Sequence, residues 1–267
     1  MVNPASPTSD LAADCAELDA LLGELSTDAW ATPTPAPGWT VQHQVAHLCA
    51  VFRMAATAAG DPAAFKAMTA GLSGDFDADV TAALSRYLGS EPSALLARWR
   101  VEWNGAVQAL AALPPDAMVP WLVRPLPAMV LAGAGMMEVF GHGQDIADAV
   151  GVTPVRTDRV GHLVNFAHRT WDFGFQARNM RTPSQEPRFE VTAPSGKVWA
   201  IGPDDADTVS GDAVDLCLLV TRRRHRNDLR LSASGPAADL WLDVAQAYRG
   251  PAGEGRRPGQ FASSASR

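Results

Sequence analysis

Apolar residues recur at steps of three and four up to about residue 178, whereas from Arg188 onward they alternate, so the chain must carry two kinds of architecture. Leu11, Cys15, Leu18, Leu22 and Leu25 set the first pattern, one face of a helix with Asp14, Glu17, Asp19 and Glu24 between them. A run holding Pro33, Pro35, Pro37 and Gly38 stops any helix, and Trp39-Thr40 opens the next, which is expected to reach about Ala58 with Thr40 as its cap. A short helix is expected from Asp61-Pro62, because proline suits the first helical turn. Residues 71–90 carry no clear pattern. Leu95, Leu96, Trp99, Trp103, Val107 and Leu110 mark a long helix from Pro92 to Leu113 that the Pro114-Pro115 pair ends. Helices are further expected over 128–150, closed by Gly151, and over 158–178.

Long helices joined by turns predict a helical bundle over residues 1–180. Beyond the polar stretch Asn179 to Pro187, Phe189 and Val191 alternate, Pro194-Ser195-Gly196 turns the chain and Val198 to Ile201 resumes, the pattern of a β-hairpin. A helix over 213–221, alternation at Leu229 and Leu231, and a final amphipathic helix from Pro236 through Tyr248 complete a small domain over 186–250. The Gly-, Ser- and Arg-rich stretch 251–267 is expected to be a disordered tail. The fold class predicted is α+β.

Composition narrows the partners. A formal net charge of −7 disfavours nucleic acid and anionic membrane, which attract cationic surfaces, so a small molecule is the expected partner. Cys15, Cys49 and Cys217 are odd in number and form no CxxC, which fits reduced thiols and a cytoplasmic location. Residues 1–10 have no signal-peptide pattern, and the uncharged stretch Pro125 to Met137 is too short to cross a hydrocarbon layer of roughly 30 Å. No GxSxG elbow, GxGxxG loop or GxxxxGK loop is present, so nucleotide and serine-nucleophile chemistry are not indicated.

Glu138 and His142 are four apart and therefore lie one turn apart on one helix face, a spacing at which both can hold one divalent ion. The same spacing also describes an ordinary solvated helix pair. A third ligand would have to come from another helix, and His47 lies off the apolar stripe of Val41, Val45, Leu48 and Phe52. Gly141 and Gly143 flank His142 at a cost of about 1 kcal/mol each relative to alanine, which calls for a close approach there, by a ligand or by a neighbouring helix. Cys49 projects away from the His47 face and reads as core.

Pro37-Gly38-Trp39-Thr40-Val41 followed by Ala46-His47-Leu48, then Met137-Glu138, His142-Gly143-Gln144-Asp145 and Ala147-Asp148-Ala149, resembles the DinB-like superfamily, and within it the mycothiol-dependent maleylpyruvate isomerase group of actinobacterial metal-binding proteins. The likeness extends through Thr157-Asp158-Arg159, Arg169-Thr170, Val220 to His225 and Ala245-Gln246-Ala247. It implies a four-helix bundle holding a divalent metal, zinc or a neighbouring ion, and a C-terminal domain similar to sterol-carrier folds. The family's His-Glu-His ligand set falls on His47, Glu138 and His142.

In that scheme a metal-bound small thiol, mycothiol or a relative, attacks an electrophile for isomerisation or S-transfer, and Asp145, one turn from His142, orients a ligand. Arg169, Arg222 and Trp121 are the candidate substrate contacts, although basic residues after a helix also complement its dipole and a tryptophan also packs. Metal-dependent hydrolysis, or binding without catalysis, are the alternatives. His43, one turn before His47, is read as a surface residue in preference to a fourth ligand. Where relatives carry arginine three residues before the glutamate and tryptophan two after it, this chain has Gly135 and Phe140, and its pocket is expected to be wider and less cationic.

Overall fold

The computed structural model describes residues 6–122 and 124–261. The chain divides into two compact units, residues 5–154 and one built from 155 onward.

The first unit is helical. Its elements are α1 (Pro7–Gly23), α2 (Val41–Gly60), α3 (Pro62–Thr69), α4 (Phe76–Leu84), α5 (Pro92–Ala111) and α6 (Ala128–Val150), with the short antiparallel strands β1 (Met118–Val119) and β2 (Leu126–Pro127) before α6. Helices α1, α2, α5 and α6 form the bundle: α2 lies against α5 and α6, and α1 against α6 and α5. The leucine stripe of α1 does what its period demands, with Leu11, Cys15, Leu18 and Leu22 all buried. Each such leucine contributes about 1.5–3 kcal/mol of apolar burial. Phe52 of α2 meets Trp99 of α5 edge to face at 5.2 Å, the aromatic centre of that core. Gly151 closes α6 in the left-handed region at φ 71°, as its position after the helix predicts.

The second unit is a four-stranded sheet with helices. Helices α7 (Val160–Arg169) and α8 (Phe173–Gln176) precede β3 (Arg188–Thr192), β4 (Val198–Ile201) and β5 (Thr208–Asp212); α9 (Ala213–Val220), β6 (Leu231–Ser234) and α10 (Pro236–Val244) follow. The strand order is β4-β3-β5-β6. The hairpin β3–β4 is antiparallel in the register Phe189↔Ile201, and β3 pairs with β5 in parallel, Phe189 opposite Val209. The predicted α+β class is the observed one.

Several expectations shift. The helix foreseen over 158–178 is interrupted, because the Thr170 hydroxyl donates to the Phe166 carbonyl and the Phe173 N–H returns to the Thr170 carbonyl. Helices α7 and α8 belong with the sheet and not with the bundle, which moves the division from residue 180 to 154/155. The reason is packing: Leu163, Val164 and Ala167 are buried, α7 lies on α9, and the Cys217 thiol donates to the Val160 carbonyl. The final helix ends at Val244, since Ala247 N–H donates to Val220 O and Gln246 turns back to the Tyr248 and Gly250 carbonyls. Of the expected tail, residues 251–261 run without regular structure but are held at points: Gly259 N–H donates to Asp228, and the Arg224 guanidinium sits 4.0 Å over the Phe261 ring. Residues 262–267 lie outside the described residues. Among the described residues no helix is long and apolar enough to cross a membrane.

Candidate metal centre

The bundle places α2 against α6, and this brings His47, Glu138 and His142 to one point. Their ligand atoms all lie within 4.8 Å of one another. Glu138 Oε2 is 3.5 Å from His47 Nε2 and 3.2 Å from His142 Nε2. Three donors at zinc bond lengths around a tetrahedral ion stand about 3.4 Å apart, so these separations suit one shared first-row cation with a position left open. The two imidazole centroids are 4.5 Å apart, and each side chain keeps only a small exposed fraction.

Electrostatics favour a charged carboxylate here. Burial alone would push the Glu138 carboxyl up, but when the rings of His142 and His47 are protonated their hydrogen bonds and charges outweigh it and hold the group well below the usual carboxylate range. The site thus offers an anion and two imidazole nitrogens, the donor set that zinc and its neighbours take.

Residues around the triad explain its placement. The loop before α2 lays the Trp39 ring beside both imidazoles, 5.5 Å from His47 and stacked at 6.0 Å on His142. That loop is tied down by Thr34 N–H and hydroxyl, both donating to the Trp39 carbonyl, and by the bridge Pro33↔Thr40. His43 is not a fourth donor to the triad. Its Nδ1 receives the Thr40 hydroxyl at 2.8 Å and faces the Thr40 N–H at 3.3 Å, so the ring serves the start of α2.

Asp145 is fully buried and reaches the triad through Gln44, which no sequence motif marks: Gln44 Nε2 lies 3.5 Å from Asp145 Oδ2, while Gln44 Oε1 meets His142 Nδ1 at 2.5 Å. Gln44 sits three residues before His47 and is itself completely buried, yet an uncharged amide beside an apolar stripe sends no sequence signal of its own.

Gly135 lies in close packing, and Gly143 in ordinary contact with α1. A Cβ on Gly135 would stand 3.3 Å from both Leu11 methyl carbons and 3.7 Å from Phe52 Cζ, and one on Gly143 would stand 3.8 Å from Leu18 Cδ1. The expected wider pocket at Gly135 is therefore corrected: the space a larger side chain would fill belongs to the α1 core. Phe140 is likewise buried.

Of the three substrate contacts expected, Trp121 stacks on Phe65 at 5.9 Å within the bundle, and the aromatic wall of the triad is Trp39. Arg169 and Arg222 belong to the second unit. Arg169 lines a cavity of about 570 Å³ with Asn165, His168, Trp171 and Glu186. Arg222 follows α9 at φ 58°, its N–H donating to Leu219 O while the Arg223 N–H reaches Leu218 O, the pattern that usually puts glycine at this position.

The model of the mycothiol maleylpyruvate isomerase N-terminal domain matches residues 11–147. Uncharacterized proteins from two strains of Mycobacterium tuberculosis, CDC 1551 / Oshkosh and ATCC 25618 / H37Rv, are 38% identical over 257 residues, 96% of this chain and the whole of each relative. Crystal structures of the mycothiol-dependent maleylpyruvate isomerase and of a histidine-to-alanine mutant of it superpose with a TM-score of 0.57 at 15% and 14% identity, covering 87% of this chain and 94% of theirs. The last likeness speaks to the fold.

Proposed function

Because the chain belongs to the family of the mycothiol maleylpyruvate isomerase N-terminal domain, we propose that it is a metal-dependent enzyme that uses a small thiol such as mycothiol on an electrophilic small molecule, by isomerisation or S-transfer. The observation that carries the reading is the meeting of His47, Glu138 and His142 at spacings that fit one ion. A divalent ion with an open position would supply thiolate at neutral pH by lowering the pKa of a bound thiol.

The chain's own residues leave that nucleophile to be imported. All three cysteines are buried, and burial, reinforced by nearby acids, pushes the Cys15 and Cys49 thiols far up, so neither offers a thiolate. His47 and His142 are the neutral donors, Glu138 lowers the net charge of a loaded site, and Trp39 limits water on one side of the imidazoles.

The test combines metal analysis with turnover. Purified protein loaded with zinc is expected to consume mycothiol, or isomerise a cis-unsaturated acid in its presence, and to lose that activity on chelation and regain it on reloading. Thiol-independent ester or amide cleavage would favour the hydrolase reading instead. Metal without turnover over a broad panel would favour a binding protein.

Arg222 gives a second prediction. A non-glycine residue at positive φ costs about 1 kcal/mol or more. Arg222→Gly is expected to raise thermal stability slightly. A lower melting temperature would show that the bond from the Arg222 guanidinium to the Gly253 carbonyl outweighs the strain.

A further inference from the structure

We propose that Gln44 is a positioning residue that fixes His142 in the tautomer with its hydrogen on Nδ1, leaving Nε2 as the lone pair turned toward Glu138 and His47. Thr34 Oγ1 spends its one hydrogen on the Trp39 carbonyl at 3.0 Å, so toward Gln44, 2.9 Å away, it can only accept. The Asp145 carboxylate oxygen on the other side, at 3.5 Å, also accepts. The glutamine atom facing both must therefore be the NH2 group. Its oxygen then faces His142 Nδ1 at 2.5 Å, and because a carbonyl oxygen only accepts, Nδ1 must carry the hydrogen.

Complete burial of Gln44 makes this assignment costly to reverse. Flipping the amide would set its oxygen against two acceptors and its NH2 against the imidazole N–H, leaving buried polar groups unsatisfied at about 1–3 kcal/mol each. Asp145 thus acts on His142 at one remove, through the amide, and the same amide joins the triad to the loop that carries Trp39. A ligand imidazole whose other nitrogen donates to an acceptor is fixed in orientation and made more basic, an effect worth about 10–100-fold in metal affinity.

The tautomer stands on Gln44 Oε1 meeting Nδ1 at 2.5 Å, a closer contact than the 3.2 Å between Nε2 and the Glu138 carboxylate that competes for the hydrogen, whereas its consequence for zinc rests on the metal reading above, and two measurements keep them apart. In metal-free wild-type protein carrying 15N-labelled histidine, long-range nitrogen–proton correlation at a pH where the ring is neutral is expected to place the His142 hydrogen on Nδ1. A hydrogen on Nε2, or an even mixture, overturns the proposal without touching the metal reading. In chelator competition, Gln44→Met is expected to weaken zinc binding by about 10–100-fold. Unchanged affinity in a folded Gln44→Met protein also overturns it. Should Gln44→Met fail to fold, the wild-type spectrum still decides; should wild-type protein take up no zinc, the metal reading falls and the spectrum again decides the tautomer.

Discussion

His142→Ala is expected to lower zinc affinity by about 100–1000-fold, and Glu138→Gln to do the same. A four-coordinate zinc site binds with about 10–16 kcal/mol, so each ligand accounts for roughly 2.5–4 kcal/mol, and 1.4 kcal/mol is a factor of ten. In His142→Ala the remaining donors are His47 and Glu138, 3.5 Å apart, and two donors do not hold an ion against water and buffer. In Glu138→Gln the shape survives but the anion does not, and a neutral amide oxygen binds a cation far more weakly than the carboxylate. Competition against a chromophoric chelator measures both, with circular dichroism confirming the fold. The ligand variants should fall below Gln44→Met, because losing a donor removes a bond whereas losing its partner removes only the orientation. A folded His142→Ala protein that keeps its zinc would move the metal centre away from these three residues.

The ligand set and its support differ in how far a sequence can announce them. Glu138 and His142 stand one turn apart on a helix whose period is unmistakable, so their shared face follows from spacing alone. His47 joins them only because α2 packs on α6, and that depends on which stripes meet, which no single segment states. Gln44, Thr34 and Trp39 are further removed. Their roles are set by hydrogen bonds across 10 and 98 residues of sequence, between groups that look like ordinary polar and aromatic positions when read in a line.

The same contrast runs through the fold. Helices α1, α2, α5 and α6 are amphipathic or capped at their ends and could be read directly. Strand β5 could not, since Thr208–Asp212 buries only Val209 and gains its place by pairing with β3 and β6 on either side. Assigning α7 to the bundle followed from its helical period, but a period shows that a face is apolar and not which core receives it.

Gly174→Ala is expected to destabilise the second unit by about 3 kcal/mol or more, a loss of roughly 10 °C or more in its thermal transition. Gly174 lies in α8, and a Cβ there would stand 1.9 Å from the Val244 carbonyl oxygen and 2.7 Å from its carbon. Both obstacles are backbone, so relief requires α8 and the end of α10 to part. Parting them also opens the clasp in which Arg178 Nη1 donates to Gly174 O at 2.9 Å and Val244 O at 3.0 Å, and strains the bond from Trp241 Nε1 to the Trp171 carbonyl. Gly196 supplies the control. It stands at φ 84° in the β3–β4 turn with nothing within 4 Å, so Gly196→Ala meets only conformational strain, about 1 kcal/mol. Differential scanning calorimetry of the two variants separates the mechanisms, since a steric clash predicts a much larger loss at Gly174 and a conformational cost alone predicts similar losses at both. Equal, small shifts would mean that α8 and α10 do not approach so closely.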